Sequence, residues 1–391
     1  MYSQLYFDYN ATTPCAKEVV DAMLPYFLDD FGNPSSSHHP YGWLAKSAVE
    51  DATSAIANVL GISPVDLVYS SGSTEGINTV LKGVCKKMSA RGKHIITTKA
   101  EHKAVLDTCA FLEGEGFEVS YLDIDSNGLL PIDRLKASLR PDTVLVSVLY
   151  ANNETGIIQP LVEIAEATHA NGSLLFSDTT QALGKVNLSA VLQLVDFACF
   201  SGHKVYGPKG IGLVYIKNNE DAAVLPSLIQ GGGQQKGQRG GTINTPLIVG
   251  LAKAIELALD NFREENERIG ALRNRLEAGL LQIEMAVLNG TAAERLPNTL
   301  HVSFPYVDGA TLLTALSKHI AVSNGSACNS ASVEPSHVLL AMGVEKSLAY
   351  ASLRFSLGRY TTENDVDQAI EIMAREVELQ REQNILWERR K

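Results

Sequence analysis

The stretch Val195–Gly210, VDFACFSGHKVYGPKG, decides the fold: a short strand-forming run stops at Ser201, His203 and Lys204, and a glycine-proline turn follows. Outward from it, β-branched runs recur at His94–Thr98, Thr143–Tyr150, Ser173–Ser177 and Gly212–Ile216. Helical stretches separate these runs from about residue 50 to residue 260. Strands that alternate with helices predict an α/β fold with a mostly parallel sheet, and in such sheets ligands bind beyond the carboxyl ends of the strands. The polar residues just after each strand are therefore the first candidates for a site. Past Pro246 the pattern becomes long helix, with Phe262, Ile269, Leu272, Leu276 and Leu280 spaced for one apolar face, which places a domain change near residue 260. A last helix is expected from about Thr362, with Asp365 completing its cap and Val366, Ile370, Met373 and Val377 forming its buried stripe.

Composition narrows the function class. With 45% hydrophobic and 20% charged residues over 391 positions, the chain is too apolar for a disordered scaffold and long enough to bury a large core without disulfides. Its 33 Lys and Arg against 44 Asp and Glu give a formal charge of −11, which works against a broad nucleic-acid surface, so any nucleic acid is expected to be reached only through a partner. The opening MYSQLYFDYNATTP has no basic n-region or long apolar h-region, and no apolar run approaches the roughly 20 residues of a membrane span, so a cytoplasmic protein is expected. Five cysteines, Cys15, Cys85, Cys109, Cys199 and Cys328, make an odd number without C-x-x-C spacing, and no metal site is expected.

Two stretches, Gly231–Thr242 (GGGQQKGQRGGT) and Ser323–Ser332 (SNGSACNSAS), read either as plain surface loops or as loops that carry a site. The turn Ser71–Gly72–Ser73–Thr74 runs from a strand into a helix and exposes N–H groups suited to a phosphate, although many such turns look alike. No GxxxxGK[ST] occurs, and GPKGIG at Gly207–Gly212 lacks dinucleotide spacing, so the phosphorylated ligand is not expected to be ATP or NAD. Asp178 and Gln181 follow one strand; Ser201, His203 and Lys204 follow the next. A carboxylate that keeps a pyridine nitrogen protonated and a lysine that condenses with an aldehyde are the protein's main contributions to pyridoxal phosphate chemistry. Taken singly, each is more often a cap or a solvated cation. His102 reads as a cap, a proton carrier or a ring that stacks on an aromatic cofactor, and Asn153 and Arg354 as carboxylate binders.

Together the motifs DYNATTP, FGNPSSSH, SSGSTEGIN, TTKAEHKAVLDT, NNETG, SDTTQALGK, FSGHKVYGPKG, RGGT, NGSACNSASVEPS and RFSLGR, in order along nearly the whole chain, closely resemble the pyridoxal phosphate-dependent cysteine desulfurases of the NifS and IscS type, in the class-V aminotransferase group. The resemblance implies a fold type I transferase, with a large cofactor-binding domain over 16–260 and a smaller α+β domain from 1–15 and 261–391 that carries the loop 323–332. It implies a homodimer that converts L-cysteine to L-alanine and leaves the sulfur as an enzyme persulfide. Delivery would be to an acceptor protein in iron–sulfur cluster assembly, tRNA thiolation or DNA phosphorothioation. Selenocysteine lyase or an aminotransferase of the same fold is the alternative activity.

By the same resemblance Lys204 would bind the cofactor aldehyde, His102 would stack on its ring, Asp178 would pair with the pyridine nitrogen and Gln181 with the phenolic oxygen. Ser73, Thr74, Ser201 and His203 would hold the phosphate, with Thr242 reaching it from the partner subunit. Asn153 and Arg354 would bind the substrate carboxylate, and Cys328 would accept the sulfur. Asn324 and Asn329 stand where relatives often have Ser or Thr. The chain ends at LWERRK, short of the tail with which housekeeping relatives contact the iron–sulfur scaffold.

Overall fold

The computed structural model describes residues 4–218, 225–290, 293–324 and 334–390. Among these, seven strands form the principal sheet: β1 (Leu67–Ser70), β2 (His94–Thr98), β3 (Glu118–Leu122), β4 (Thr143–Ser147), β5 (Leu174–Asp178), β6 (Phe197–Ser201) and β7 (Gly212–Ile216), in the spatial order β1-β7-β6-β5-β4-β2-β3. Pairing is parallel except at β7, which runs antiparallel to both β1 and β6.

The strands read as continuous apolar runs because both faces are covered. On one face Val146, Leu175, Phe200 and Leu213 pack with Ile56 and Leu60 of helix Pro40–Leu60 and with Ile248, Leu251 and Ile255 of helix Thr245–Asp260. On the other, Leu145, Phe176, Phe197 and Val214 pack with Ile77, Val80 and Val84 of helix Ser73–Met88 and with Val105 and Cys109 of helix Lys103–Gly114. Alternate residues of each strand divide between the two faces of the sheet, as the pleat requires.

The structure departs from the sequence reading in two places. The expected strand Thr143–Tyr150 ends at Ser147: the Leu149 N–H donates to the Glu101 carboxyl, 3.0 Å to each oxygen, instead of to β2, although Val148 and Tyr150 still donate to Phe176 and Asp178 of β5. β3 was not among the expected strands; it lies at the sheet edge, only Leu122 of it is buried, and its sequence carries too little apolar signal.

A second core gathers Phe7, Ile269, Leu272, Leu276, Leu300, Val302, Phe355, Val366 and Met373. It lies between the antiparallel strands Val287–Leu288, Thr299–Ser303 and Ser352–Ser356 and the helices Phe262–Leu280 and Glu363–Glu382. Thr362 and Asp365 form the reciprocal cap of the last helix. Leu5–Tyr6 pairs in parallel with Ile320–Ala321, so the first described residues pack with the last third of the chain.

One close approach shapes the entry to helix Ser73–Met88. Gly72 has φ 152° and ψ −180°, a conformation open essentially to glycine alone, and Gly212 lies against it. A Cβ on Gly212 would stand 2.4 Å from the Phe200 oxygen and 2.7 Å from Gly72 Cα. Gly212→Ala is expected to cost about 1–3 kcal/mol of stability, checked by denaturant titration. An unchanged midpoint would show that the two turns can separate freely.

Candidate active site

The carboxyl ends of the parallel strands open into a cleft of about 900 Å3. Ten of the expected site residues line it: Ser73, Thr74, His102, Asn153, Asp178, Gln181, Ser201, His203, Lys204 and Arg354. Thr242 is exposed and outside the cleft, and Cys328 and Asn329 lie outside the described residues.

At one end, helix Ser73–Met88 begins after Gly72 without a side-chain cap, so its first-turn N–H groups and the positive end of its dipole offer an anion site. Ser73 Oγ and Thr180 Oγ1 are 2.5 Å apart. His203 Nδ1 lies 3.1 Å from Thr12 Oγ1. Burial, with Lys204 and Lys209 adding to it, pulls His203 down to about 4, so its ring is neutral near pH 7.

Deeper in, Asp178 ends β5, and its Oδ1 accepts from the Thr180 N–H at 3.0 Å, the Thr180 hydroxyl at 2.5 Å and the Cys199 thiol at 3.5 Å. These donors hold the carboxylate in place. Lys204, in the one-turn helix Gly202–Lys204 that follows β6, donates from Nζ to the Asn10 and Ala11 carbonyls at 2.6 and 2.7 Å. Gln181 Nε2 donates to the same Asn10 oxygen at 3.0 Å. His102 caps helix Lys103–Gly114, its Nδ1 accepting from the Ala104 N–H at 3.1 Å. Burial lowers its pKa; Lys204 adds to the effect and Asp178 opposes it.

At the opposite wall Arg354, 3% exposed, donates to Asp8 Oδ1 at 2.6 Å and to the Asn153 carbonyl at 3.0 Å. Both partners fix the plane of its guanidinium, as recognition of a carboxylate requires.

Several residues of the site were not singled out from the sequence. Asn10 and Thr12 sit in DYNATTP, a motif that carried the resemblance without a role assigned to either. Glu101 is fully buried behind His102, and burial raises its pKa to about 8 despite bonds from Leu149 and Thr98. Glu154, raised by burial as well, accepts from the Ser336 hydroxyl and faces His337 Nδ1 at 3.9 Å. Arg239 pairs with Glu75 at 2.9 Å, and Gln235 donates to the Tyr69 carbonyl and accepts from its N–H, at 3.0 and 2.6 Å. The loop bearing Thr242 is thus fastened beside β1. A buried Glu is the weakest of these signals to read from sequence, since nothing local distinguishes it from a surface acid.

His203 gives a pH test. Its ordinary value of 6.5 falls to about 4 in the fold, so between those values the unfolded chain binds a proton that the folded chain does not. Stability is therefore lost as pH drops from about 6.5 to about 4. His203→Gln is expected to make the His203 share of that decline disappear in denaturant titrations across this range, against a background in which His94, His102 and His301, lowered by burial, act in the same direction and Glu101, raised to about 8, acts against them. Equal slopes in both proteins would remove His203 from this role.

Comparison with known proteins gives this geometry its context. A protein named cysteine desulfurase IscS from Anaeromyxobacter sp. (strain Fw109-5) is 46% identical over 385 residues, covering 98% of this chain and 95% of that protein. A solved NifS-like protein superimposes with a TM-score of 0.89 at 38% identity, over 96% of this chain and all of the other. A solved SspA in complex with cysteine gives 0.80 at 36% identity, over 92% of this chain and all of that one. With the class-V aminotransferase profile matched across residues 5–369, most of the length that builds the cleft, the chain belongs to the class-V aminotransferase family.

Proposed function

We propose that this chain is a pyridoxal phosphate-dependent cysteine desulfurase that converts L-cysteine to L-alanine and passes the sulfur to its own Cys328 as a persulfide. The observation that carries the reading is the convergence of Lys204, Asp178, His102 and an uncapped helix N-terminus on one cleft.

The donor set fits the cofactor. An anion site stands at one end of the cleft, a carboxylate held by three donors in the middle, and a lysine amine within the same walls. Ser73, Thr74, Ser201 and His203 would hold the phosphate, Asp178 the pyridine nitrogen, Gln181 the phenolic oxygen, His102 the ring face and Lys204 the aldehyde carbon. Bound there, the cofactor supplies an electron sink for the substrate's Cα.

The chain's own residues do the rest. Arg354 and Asn153 bind the substrate carboxylate and orient Cα. The Lys204 amine moves the Cα proton, and His102 is placed to carry a second one. The Cys328 thiolate attacks the substrate sulfur: an S–S bond forms, the Cβ–S bond breaks, and Cβ takes up a proton to leave alanine. Described residues on either side of Cys328 meet this cleft. Ser323 exchanges backbone hydrogen bonds with Arg354 at 2.7 and 3.3 Å, and beyond Cys328 the residues Glu334, Pro335 and His337 line the wall.

The working unit on this reading is a homodimer, in which residues 16–260 form the large domain and 1–15 with 261–391 the small one. Phe27, Leu28, Phe31, Tyr41, Trp43 and Leu44 are each more than half exposed, and the rings of Phe31 and Tyr41 are 5.5 Å apart. An apolar surface of this kind marks an interaction site, and a second copy is the occupant that would also bring Thr242 to a neighbour's phosphate. No helix among the described residues is long and apolar enough to cross a membrane. A cytoplasmic enzyme that hands sulfur to an acceptor protein, for iron–sulfur assembly, tRNA thiolation or DNA phosphorothioation, fits these features.

Borohydride reduction and peptide mapping should place the phosphopyridoxyl group on Lys204; another lysine, or none, would overturn the assignment. Cys328→Ser should keep the cofactor's visible absorbance yet lose nearly all alanine production from cysteine, since a hydroxyl is a poor nucleophile toward sulfur. Near-normal turnover would move the acceptor role elsewhere. Mixing Lys204→Ala with Thr242→Ala chains should restore activity through hybrid dimers, and a fully active monomer would defeat the shared-site reading.

A further inference from the structure

Gln181 is the site residue whose chemistry depends most on orientation, because one end of a carboxamide only donates and the other only accepts. Two neighbours decide which end goes where. Lys185, one turn further along the chain, donates from Nζ to Gln181 Oε1 at 3.1 Å and to the Gln181 backbone oxygen at 3.0 Å. The Asn10 carbonyl accepts from Gln181 Nε2 at 3.0 Å. An ammonium has no acceptor and a carbonyl no donor, so a flipped amide would face repulsion at both ends when Lys185 is charged, and at the Asn10 end in either state of the lysine. Nε2 carries two hydrogens; Asn10 takes one, leaving the other for an acceptor in the cleft that Gln181 lines.

We propose that Lys185 is a positioning residue: by holding Gln181 Oε1 and the backbone oxygen beside it, Lys185 ensures that Gln181 offers an N–H, not a lone pair, to the phenolic oxygen of the cofactor. This rests on the reading of Gln181 as a ligand of that oxygen. Burial, and after it the charge of Lys204, pulls the Lys185 ammonium down to about 7, and in either protonation state the nitrogen keeps hydrogens to donate. Lys185 and Lys204 also line a common cavity of about 30 Å3 with Tyr206 and Arg359, so Lys185 stands behind the cleft, where it does not meet substrate.

The test is a titration of apoprotein with pyridoxal phosphate, reading the dissociation constant and the visible absorption band of the bound cofactor in a double-mutant cycle. Lys185→Met is expected to weaken binding about tenfold and to shift the band in the direction that Gln181→Ala shifts it. Added to Gln181→Ala, it should change neither quantity further, and Lys185→Arg, which keeps the donor, should stay near the parent protein. Lys185→Ala is made alongside, so that one folded truncation suffices. Parent-like binding by the Lys185 truncation while Gln181→Ala weakens it, or equal losses on both backgrounds, overturns the inference and leaves the Gln181 reading intact. A silent Gln181→Ala overturns that reading and this inference with it.

Discussion

Asn10, 1% exposed, uses every polar atom it has. Its N–H donates to Ser356 Oγ and its side-chain NH2 to the Asn153 carbonyl and Thr299 Oγ1, its Oδ1 accepts from Asn298, and its carbonyl accepts from both Gln181 and Lys204. Three of those partners, Asn298, Thr299 and Ser356, belong to the smaller sheet or its border; three, Asn153, Gln181 and Lys204, follow strands of the principal sheet. The two cores are thus pinned at the mouth of the cleft by one residue near the start of the chain. In a buried network a missing partner leaves several polar groups unsatisfied at once, so Asn10 fixes the relative placement of Lys204, Gln181 and the Arg354 wall together.

Buried acids reinforce that frame. Glu101 takes the Leu149 N–H that would otherwise continue the β4 ladder, and Glu154 takes the Ser336 hydroxyl. Burial pushes both carboxyls up, and Glu101, raised to about 8, favours its neutral form near pH 7. A protonated acid can bond as donor and acceptor, which suits a position behind a cleft where a fixed negative charge would repel Asp178. The strand end at Ser147 is a consequence of this arrangement: pairing with β2 stops where Glu101 claims the donor, while Val148 and Tyr150 still donate to Phe176 and Asp178 of β5 at 3.1 and 3.0 Å.

How much of this was legible follows from the range of each signal. β2 and β7 were read to the residue, and Thr362 and Asp365 form the expected cap, because periodicity and capping are written within a few consecutive residues. Nine of the ten cleft residues were legible as polar residues at or after the ends of strands in a mostly parallel sheet, a rule that needs no tertiary knowledge; Arg354, inside a strand of the smaller sheet, was read from its guanidinium fork. Asn10 and Lys185 were not. Asn10 meets Asn153, Gln181 and Thr299 across 143, 171 and 289 residues, and no local pattern encodes such meetings. Lys185 is only four residues from Gln181, yet reads as an ordinary turn lysine until the fold encloses it.

The cysteines bring the two lines of argument together. Burial raises all four thiols among the described residues, Cys15 the exposed one, Cys85 to about 12, and Cys109 and Cys199 as well. Cys199 is further committed as a donor to Asp178, so ionising it would set a second negative charge beside the carboxylate that the cofactor reading needs. Sulfur transfer needs a thiolate that can meet both the substrate and an outside acceptor. Cys85, Cys109 and Cys199 are buried and meet neither, and Cys15, though exposed, does not line the cleft. Cys328 is the proposed acceptor, and described residues on either side of it meet the cleft walls, Ser323 through the Arg354 strand and Ser336 through Glu154. Arg354 and Asn153, the residues read as holding the substrate carboxylate, border those same two attachments and are joined to each other, the Arg354 guanidinium donating to the Asn153 carbonyl at 3.0 Å.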